Sequence, residues 1–429
     1  MGTLPSAQPL PLSREPDFRR LWGGQAVSVL GSQVTAFALP VLAVVTLDAD
    51  AGQLGMLRTL EFLPFVLLTL PVGLWLDRHR PRPAMLAANA VRAVVVGAVA
   101  IAGLLGSLQI PWLYGAVLVI GAATVVFDVA YLSYLPALVR REQLVQGNSH
   151  LAVSDSAAEV GGPGLAGLLV QAVSAPAALL VDAVSYLFSL LCLTRIRTPD
   201  RTPPRSAHGQ TGLRRQVAEG LGVVAADRYL RVICLEAFTY NLFTQFGATL
   251  LVLYALDDLG LSAGQLGVYV GLGGLGAVAG SVLAPRVIRA IGFGPAFITG
   301  TALACAAPVL VPLATASTGL AGWLIAASSL LTGLGVTVSV IGSVTLRQTV
   351  SPDHLLGRVN AVMRLASYSA LPLGALLAGA IASATSVRIA LFIGAGGLVL
   401  PVLVLLLSPV RQLRTSFEAE PAQPTTAAP

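Results

Sequence analysis

Apolar residues fill this chain in long runs, and the polar residues gather in short connections between them. Each run is close to the roughly 20 residues that a helix needs to cross a bilayer. Twelve are predicted, over 20–47, 53–76, 83–106, 111–136, 148–173, 176–195, 232–256, 265–287, 293–313, 318–346, 358–383 and 387–410. The longest interior polar stretch, 196–231, carries Pro199, Pro203 and Pro204 and then Arg214 and Arg215. It reads as a cytosolic linker ending in a short amphipathic helix. The pattern therefore divides into an N-terminal segment 1–19, a six-helix half 20–195, the linker 196–231, a second six-helix half 232–410, and a tail 411–429. The Pro/Ala/Thr-rich tail is expected to be disordered and cytoplasmic.

Composition agrees with an all-α polytopic membrane protein. Hydrophobic residues make up 55% of the chain and charged ones 11%, too little charge to cover a soluble surface of this size. All 26 basic residues are arginine, so no lysine is available for a Schiff base or a phosphate-binding loop. ATP-driven transport by this chain alone is not expected.

Charge then orients the segments. Arg58, Arg92, Arg364 and Arg388 fall within or at the ends of the apolar runs. The remaining arginines cluster on one side, at the N-terminus, in 78–82, 140–141 and the linker, at Arg286, Arg289, Arg347 and Arg358, and in the tail. The opposite connections hold Asp48, Asp50, Asp257 and Asp258. The positive-inside rule puts both termini in the cytoplasm of a cell (inner) membrane protein. The net charge of +6 reflects this bias, and no nucleic-acid partner is expected. Cys192, Cys234 and Cys305 lie inside apolar runs, with no disulfide or metal spacing.

The halves repeat. Ala51-Gly-Gln-Leu-Gly55 returns as Ala263-Gly-Gln-Leu-Gly267, 212 positions on, and Asn148, Gly162 and Gly167 return as Asn360, Gly374 and Gly379. Gly280 to Arg286 reads as a degenerate echo of the connection at Gly73, with Ala284 in place of Asp77. Parallel six-helix halves with a site at their interface are a transporter architecture.

Two motif matches dissolve in context. Gly271-Leu-Gly-Gly-Leu-Gly276 has the spacing of a dinucleotide fingerprint, but no strand precedes it and no acid follows before Asp353. Gly260-Leu-Ser262-Ala-Gly264 has the spacing of a hydrolase elbow, yet Ser262 with Gln265 is a capping box. His79, His150, His208 and His354 all fall on the cytoplasmic side, so no metal site is expected. No catalytic constellation, and hence no enzyme or cofactor, is read from the chain.

Ionisable groups inside apolar runs each cost on the order of 3 kcal/mol and so need a reason. Glu61 can pair with Arg58 one turn away. Arg92, near the middle of its run, can instead pair with an acid from another helix. Asp155 and Glu159 are one turn apart, and Glu159, near mid-membrane, is the first candidate for a proton carrier. Asp182 and Glu236 are further proton-coupling candidates. Gln25 and Gln33, with the polar stripe Tyr240, Asn241, Thr244 and Gln245, are candidates to line a substrate cavity. For any one of these acids a structural ion pair remains as good a reading as a transport role.

Gly73-x-x-Leu-Asp77-Arg78-x-Arg80 resembles the signature between the second and third helices of the major facilitator superfamily, departing from it at Pro81 and Pro83. Phe18-Arg-Arg-Leu-Trp22, Phe127-Asp128 and Leu135-Pro-Ala-Leu-Val139 resemble the branch of macrolide and enterobactin (siderophore) exporters. Ala158-x-x-x-Gly162-Pro163-x-x-Ala166-Gly167 is similar to the antiporter signature of proton-coupled drug exporters, with Ala158 and Ala166 in place of glycine. The resemblance implies a twelve-helix exporter of a small amphipathic or hydrophobic compound, driven by protons and acting as a monomer. It implies that Asp77, with Gly73, Arg78, Arg80 and Arg82 of the same connection, gates the cytoplasmic side. Asp128, near the cytoplasmic end of its run, can pair with Arg78, Arg80 or Arg82, or be a charge that only fixes topology. Gly162 and Pro163, with Gly167, make a close-packed, bent segment that can seal the exterior contact between halves or serve packing alone. Uptake by the same fold, or a sensor or scaffold that does not transport, are the rival readings.

Overall fold

The computed structural model describes residues 12, 15–140, 143–198, 213–316, 319–352 and 355–415, with the side chains of 213–217 left aside. Arg14, Arg141, His208, His354, the linker from Pro199 to its helix, and the tail after Thr415 lie outside the described residues.

Helices account for nearly all of it. The N-terminal half consists of α1 (Pro16–Leu47), α2 (Ala51–Leu76), α3 (Pro81–Leu104), α4 (Ile110–Leu138), α5 (Leu144–Val173) and α6 (Ala175–Thr194). A shorter helix, α7 (Leu213–Ala226), leads to α8 (Arg228–Leu253), α9 (Ala263–Ile291), α10 (Phe293–Ala306) and α11 (Leu310–Leu313). Then come α12 (Ala321–Val350), α13 (Leu356–Ala384), α14 (Val387–Gly397) and α15 (Val399–Leu406). Among the described residues, ten segments are long and apolar enough to cross a membrane, counting α10 with α11 and α14 with α15 as one each. The two breaks have local causes. Pro308 withholds a helix N–H between α10 and α11, and Gly396 and Gly397 precede the break at Leu398.

The repeat is structural and keeps a constant register of 212. Asp50 with Gln53 opens α2 by a reciprocal capping box, and Ser262 with Gln265 opens α9 the same way. Gly121 packs on the Glu61 carbonyl, and its counterpart Gly333 on that of Gly273. Gly162 packs on Gln33, and Gly374 on Gln245. This register corrects the echo expected at Gly280–Arg286. Gly280 lies inside α9 against Leu334 and corresponds to Leu68, while α10 starts at Phe293 as α3 starts at Pro81. Asp77 therefore corresponds to Arg289.

The halves meet where α2 lies against α13 and α5 against α9. Two glycine pairs make these crossings. A Cβ on Gly55 would lie 2.8 Å from Gly379 Cα, and a Cβ on Gly167 would lie 2.6 Å from Gly267 Cα. By the repeat, each crossing is the other's image. Gly162 is a correction to the expected seal, because it faces Gln33 of its own half, whereas Pro163 and Gly167 face Gly267 of the other.

Burial shows that the halves part on one side only. At the end bearing Asp48, Asp50 and Asp257, a single apolar core joins both halves, from Leu42 and Leu54 to Leu253, Leu266 and Ile325. At the arginine-bearing end there are two cores. One holds Phe18, Met85, Phe127 and Tyr134 of the first half; the other holds Tyr229, Phe297, Val359 and Leu405 of the second.

The glycine crossings predict a conformational mutant. Gly167→Val overpacks the α5–α9 contact at a cost of about 1–3 kcal/mol. In a cysteine-free background carrying Ser262→Cys, thiol labelling at the sealed end should accelerate severalfold relative to the Gly167 parent. An unchanged rate would contradict close packing as the seal.

Candidate functional site

Each half contains a cavity, and the two differ in chemistry. The first, about 460 Å3, is lined from α1 by Gln25, Ser32, Gln33 and Thr35, from α2 by Glu61, Phe62 and Phe65, and from α3, α4 and α6 by Arg92, Asp128 and Tyr186. The second, about 370 Å3, is lined by Tyr240, Phe243 and Thr244 of α8 with Ser328, Ser329 and Thr332 of α12, and no charged residue lines it. Both lie in the size range of small-molecule sites. Of the amide-bearing candidates in the second half, Asn241 and Gln245 do not line this cavity. Asn241 donates to the Ala237 carbonyl at 2.7 Å, and Gln245 is turned against Gly374.

Beside the first cavity lies a buried polar cluster. Arg92, 4% exposed, sits between the Phe127 ring (4.4 Å) and the Tyr186 ring (4.5 Å) and donates to the Asn89 side chain. Its nearest partners are two aromatic faces and an amide, and it also interacts electrostatically with Asp128 and Asp182 of two other helices; ring quadrupoles stabilise a desolvated guanidinium by about 2 kcal/mol. Asn89 donates in turn to Ser189 at 3.0 Å. Asp182 is fully buried and accepts hydrogen bonds from Thr35 (2.5 Å) and Ser185 (2.9 Å). Tyr186 and Ser32 share a further hydrogen bond of 2.9 Å. Asn89, Tyr186, Thr35 and Ser185 went unremarked in the sequence, since single hydroxyls in an apolar run carry no signal of what they face.

Among the described residues, the second half has no such cluster. In register, Arg92 becomes Ala304, Asp128 becomes Val340, Asp182 becomes Gly394 and Glu61 becomes Gly273. The space is refilled with carbon. Phe243 occupies the room at Gly397 that the smaller Gly31 leaves for Ser185.

The remaining acids divide by burial. Glu61 forms the expected pair with Arg58 at 2.9 Å. Glu236, 5% exposed, has no side-chain partner among the described residues. Glu159 and Asp155 are exposed, which corrects the expectation of a buried carrier at Glu159. They occupy the part of α5 between the face that meets α1, through Ser154 and Gly162, and the face that meets α9, through Val160, Gly164 and Gly167.

At the arginine-bearing end, Asp77, Arg78 and Arg80 are exposed, and a Cβ on Gly73 would meet nothing within 4 Å. Arg82 donates to the carbonyls of Leu193 (2.9 Å) and Thr194 (2.9 Å). The expected pairing of Asp128 with Arg78, Arg80 or Arg82 is not formed. Asp128 stands ten residues inside the end of α4, about 15 Å along the axis, so it faces the cavity with Arg92 instead. Arg364 of α13 stands over Tyr368 at 5.3 Å, and Tyr368 stacks on Phe65 of α2 at 5.3 Å, bringing a second-half cation to the edge of the first-half cavity.

The hydroxyl partners of Asp182 set an order of stabilities. Asp182→Leu leaves the Thr35 and Ser185 hydroxyls unsatisfied, at about 1–3 kcal/mol for each buried group. Thermal unfolding in detergent should show a lower Tm for Asp182→Leu than for Asp182→Asn. Equal values would mean that the cluster adds nothing to stability.

Residues 21–371 match the Major Facilitator Superfamily. The multidrug efflux pump Tap of Mycobacterium tuberculosis is 26% identical over 387 residues, covering 84% of this chain and 86% of Tap. The enterobactin exporter EntS of Salmonella choleraesuis is 26% identical over 416 residues, covering 94% and 95%. Macrolide efflux protein A of Streptococcus pyogenes is 24% identical over 224 residues, covering 52% and 55%. Among solved structures, a bacterial homologue of the iron transporter ferroportin in its inward-facing state aligns with a TM-score of 0.72 at 20% identity, covering 91% of this chain and 98% of that one. The outward-facing state of a bacterial ferroportin homologue aligns at 0.58 and 19% identity over the same shares. With the family matched over most of its length and the fold shared with its transporters, the chain belongs to the Major Facilitator Superfamily.

Proposed function

We propose that this transporter is a proton-coupled exporter of small amphipathic or hydrophobic compounds, working by alternating access with both termini in the cytoplasm. The observation that carries the reading is the division of the apolar core, shared at one end and split at the other. Two rigid halves that pivot on paired glycine crossings can exchange which end is sealed without unfolding either core. The arginine bias assigns the open end to the cytoplasm, and the better match to an inward-facing relative fits that assignment. In this reading α5 and α8 complete twelve spans. Each is long enough to cross and packs against apolar helices, α5 on α1 and α9, and α8 on α13 and α14.

The kinship with multidrug, macrolide and enterobactin exporters supports outward transport. A polar, charge-bearing cavity in one half and a hydroxyl-and-aromatic cavity in the other suit a substrate with a polar and an apolar end. Proton coupling is supported by Glu236. An unpartnered carboxylate buried at membrane depth costs several kcal/mol, and binding a proton removes that cost. Asp155 and Glu159, one turn apart on α5, offer a second candidate site for the proton. Asp77, free in the state open to the cytoplasm, would engage when that side closes.

In proteoliposomes holding a pH gradient, some members of a compound panel should collapse the gradient only when the protein is present. If none does, antiport is wrong. Glu236→Gln should lose uphill efflux while keeping downhill exchange; that phenotype in Glu159→Gln and not in Glu236→Gln would move the carrier to Glu159. Asp77→Asn should insert normally and transport at least about tenfold more slowly, the equivalent of one lost ionic contact of about 1.4 kcal/mol. Normal transport would reduce the connection to a topology signal.

A further inference from the structure

We infer, on the reading that Glu236 carries the proton, that Tyr240 relays it between Glu236 and the second-half cavity. Glu236 is closed off toward the arginine-bearing end. Tyr229, Leu230 and Ile233, in the turns of α8 that precede it, are buried, and with Phe297 of α10 and Val359 of α13 they form the apolar core of that end. Bringing a charged or hydrated species through such a core costs its full desolvation. Glu236 itself is 5% exposed and lines neither cavity.

The way out runs along α8 in the other direction. Tyr240 stands one turn further on, about 6 Å along the axis. It is partly exposed and lines the second cavity beside Phe243 and Thr244. Side chains on a helix tilt toward its N-terminus, so the Tyr240 ring leans back toward Glu236. The two groups interact electrostatically, and Cys305 of α10, itself buried, interacts with both. On the helices packed against α8, Arg358 of α13 pairs with Glu219 of α7, Arg364 stands over Tyr368, and Arg388 of α14 donates to the Pro312 carbonyl. Arg347 of α12 lies within one turn of that helix's end.

A phenol is suited to this position because its hydroxyl donates and accepts at once. In the uptake step the Tyr240 hydroxyl gives its proton to a Glu236 carboxylate oxygen and takes another from a hydronium ion in the cavity, which is left as water. Release runs in reverse, and one proton moves each way.

The repeat separates this arrangement from general packing. In register Glu236 becomes Gly24, Tyr240 becomes Ser28 and Cys305 becomes Ala93, so the first half keeps the backbone and lacks every member of the group. The second cavity has no charged residue in its wall, and Tyr240 is its link to a carboxyl group. A substrate seated against Tyr240 closes the relay. Glu236 then exchanges its proton only while the cavity is empty, which keeps substrate and proton in opposite phases of the cycle.

The test is a rapid pH step on the detergent-solubilised full-length protein, read by the protonated-carboxyl infrared band that Glu236→Gln removes. In Tyr240→Phe that band should appear about a hundredfold more slowly, the low end of what a positioned proton donor contributes, with its titration midpoint retained. Cys305→Ala removes the other group beside Glu236 without altering the cavity wall and should leave the rate unchanged. Thr332→Trp narrows the cavity from α12 and should slow the band as well, which keeps the route testable if Tyr240→Phe does not fold. An unaltered rate in either Tyr240→Phe or Thr332→Trp would overturn the relay, as would a Cys305→Ala rate as slow as that of Tyr240→Phe. If Glu236→Gln removes no band, Glu236 is not the carrier and the relay falls with it; a band that Glu236→Gln removes but Tyr240→Phe does not delay sinks the relay alone.

Discussion

Two backbone-to-backbone crossings hold this molecule together across its middle. At Gly55 on Gly379, and at Gly167 on Gly267, helices from opposite halves approach so closely that neither partner has room for a Cβ. In a bilayer there is little hydrophobic drive to bring two helices together, so the closeness of such contacts supplies much of the attraction between them. It also makes them suitable as pivots. Small, smooth surfaces can rock without a side chain having to leave a pocket. The shared core at one end and the separate cores at the other follow from where these crossings sit.

Within that frame, the halves have kept their backbone register and diverged in chemistry. The first half buries Arg92 between two rings, Asp182 among hydroxyls, and exposes Asp128 to a cavity. The second has replaced each of those positions with Ala, Gly or Val and filled the space with Phe243. Its own ionisable group, Glu236, stands at a position that is Gly24 in the first half. Polar and ionisable groups are therefore distributed unequally around a pseudo-symmetric centre.

Much of the helical layout was legible in the sequence, because run length and hydropathy answer directly to bilayer thickness. The repeat was legible too, through Ala51-Gly-Gln-Leu-Gly55 and its image. Facing was not. Gly162 and Gly167 look alike in a motif, yet one meets its own half and the other meets the opposite half, and only rotation about α5 distinguishes them. The echo of the Gly73 connection was misplaced by five residues because a similar string of letters, Gly280 to Arg286, happens to lie inside α9. The sequence puts Asp128 within reach of Arg78, Arg80 or Arg82, because its depth along α4 depends on where that helix ends. The ring faces of Phe127 and Tyr186 that flank Arg92 come from two other helices and leave no trace in local sequence.

The central claim is that the halves pivot on the glycine crossings, so that opening one end closes the other. Double electron–electron resonance measures this directly, with one spin-label pair at Gln53→Cys and Thr385→Cys and a second at His79→Cys and Gly357→Cys, in a cysteine-free background. Across conditions that shift the conformational equilibrium, such as pH and added substrate, the two distances should change in opposite senses. Distances that lengthen together, or an arginine-end pair that stays fixed while the other moves, would contradict the account.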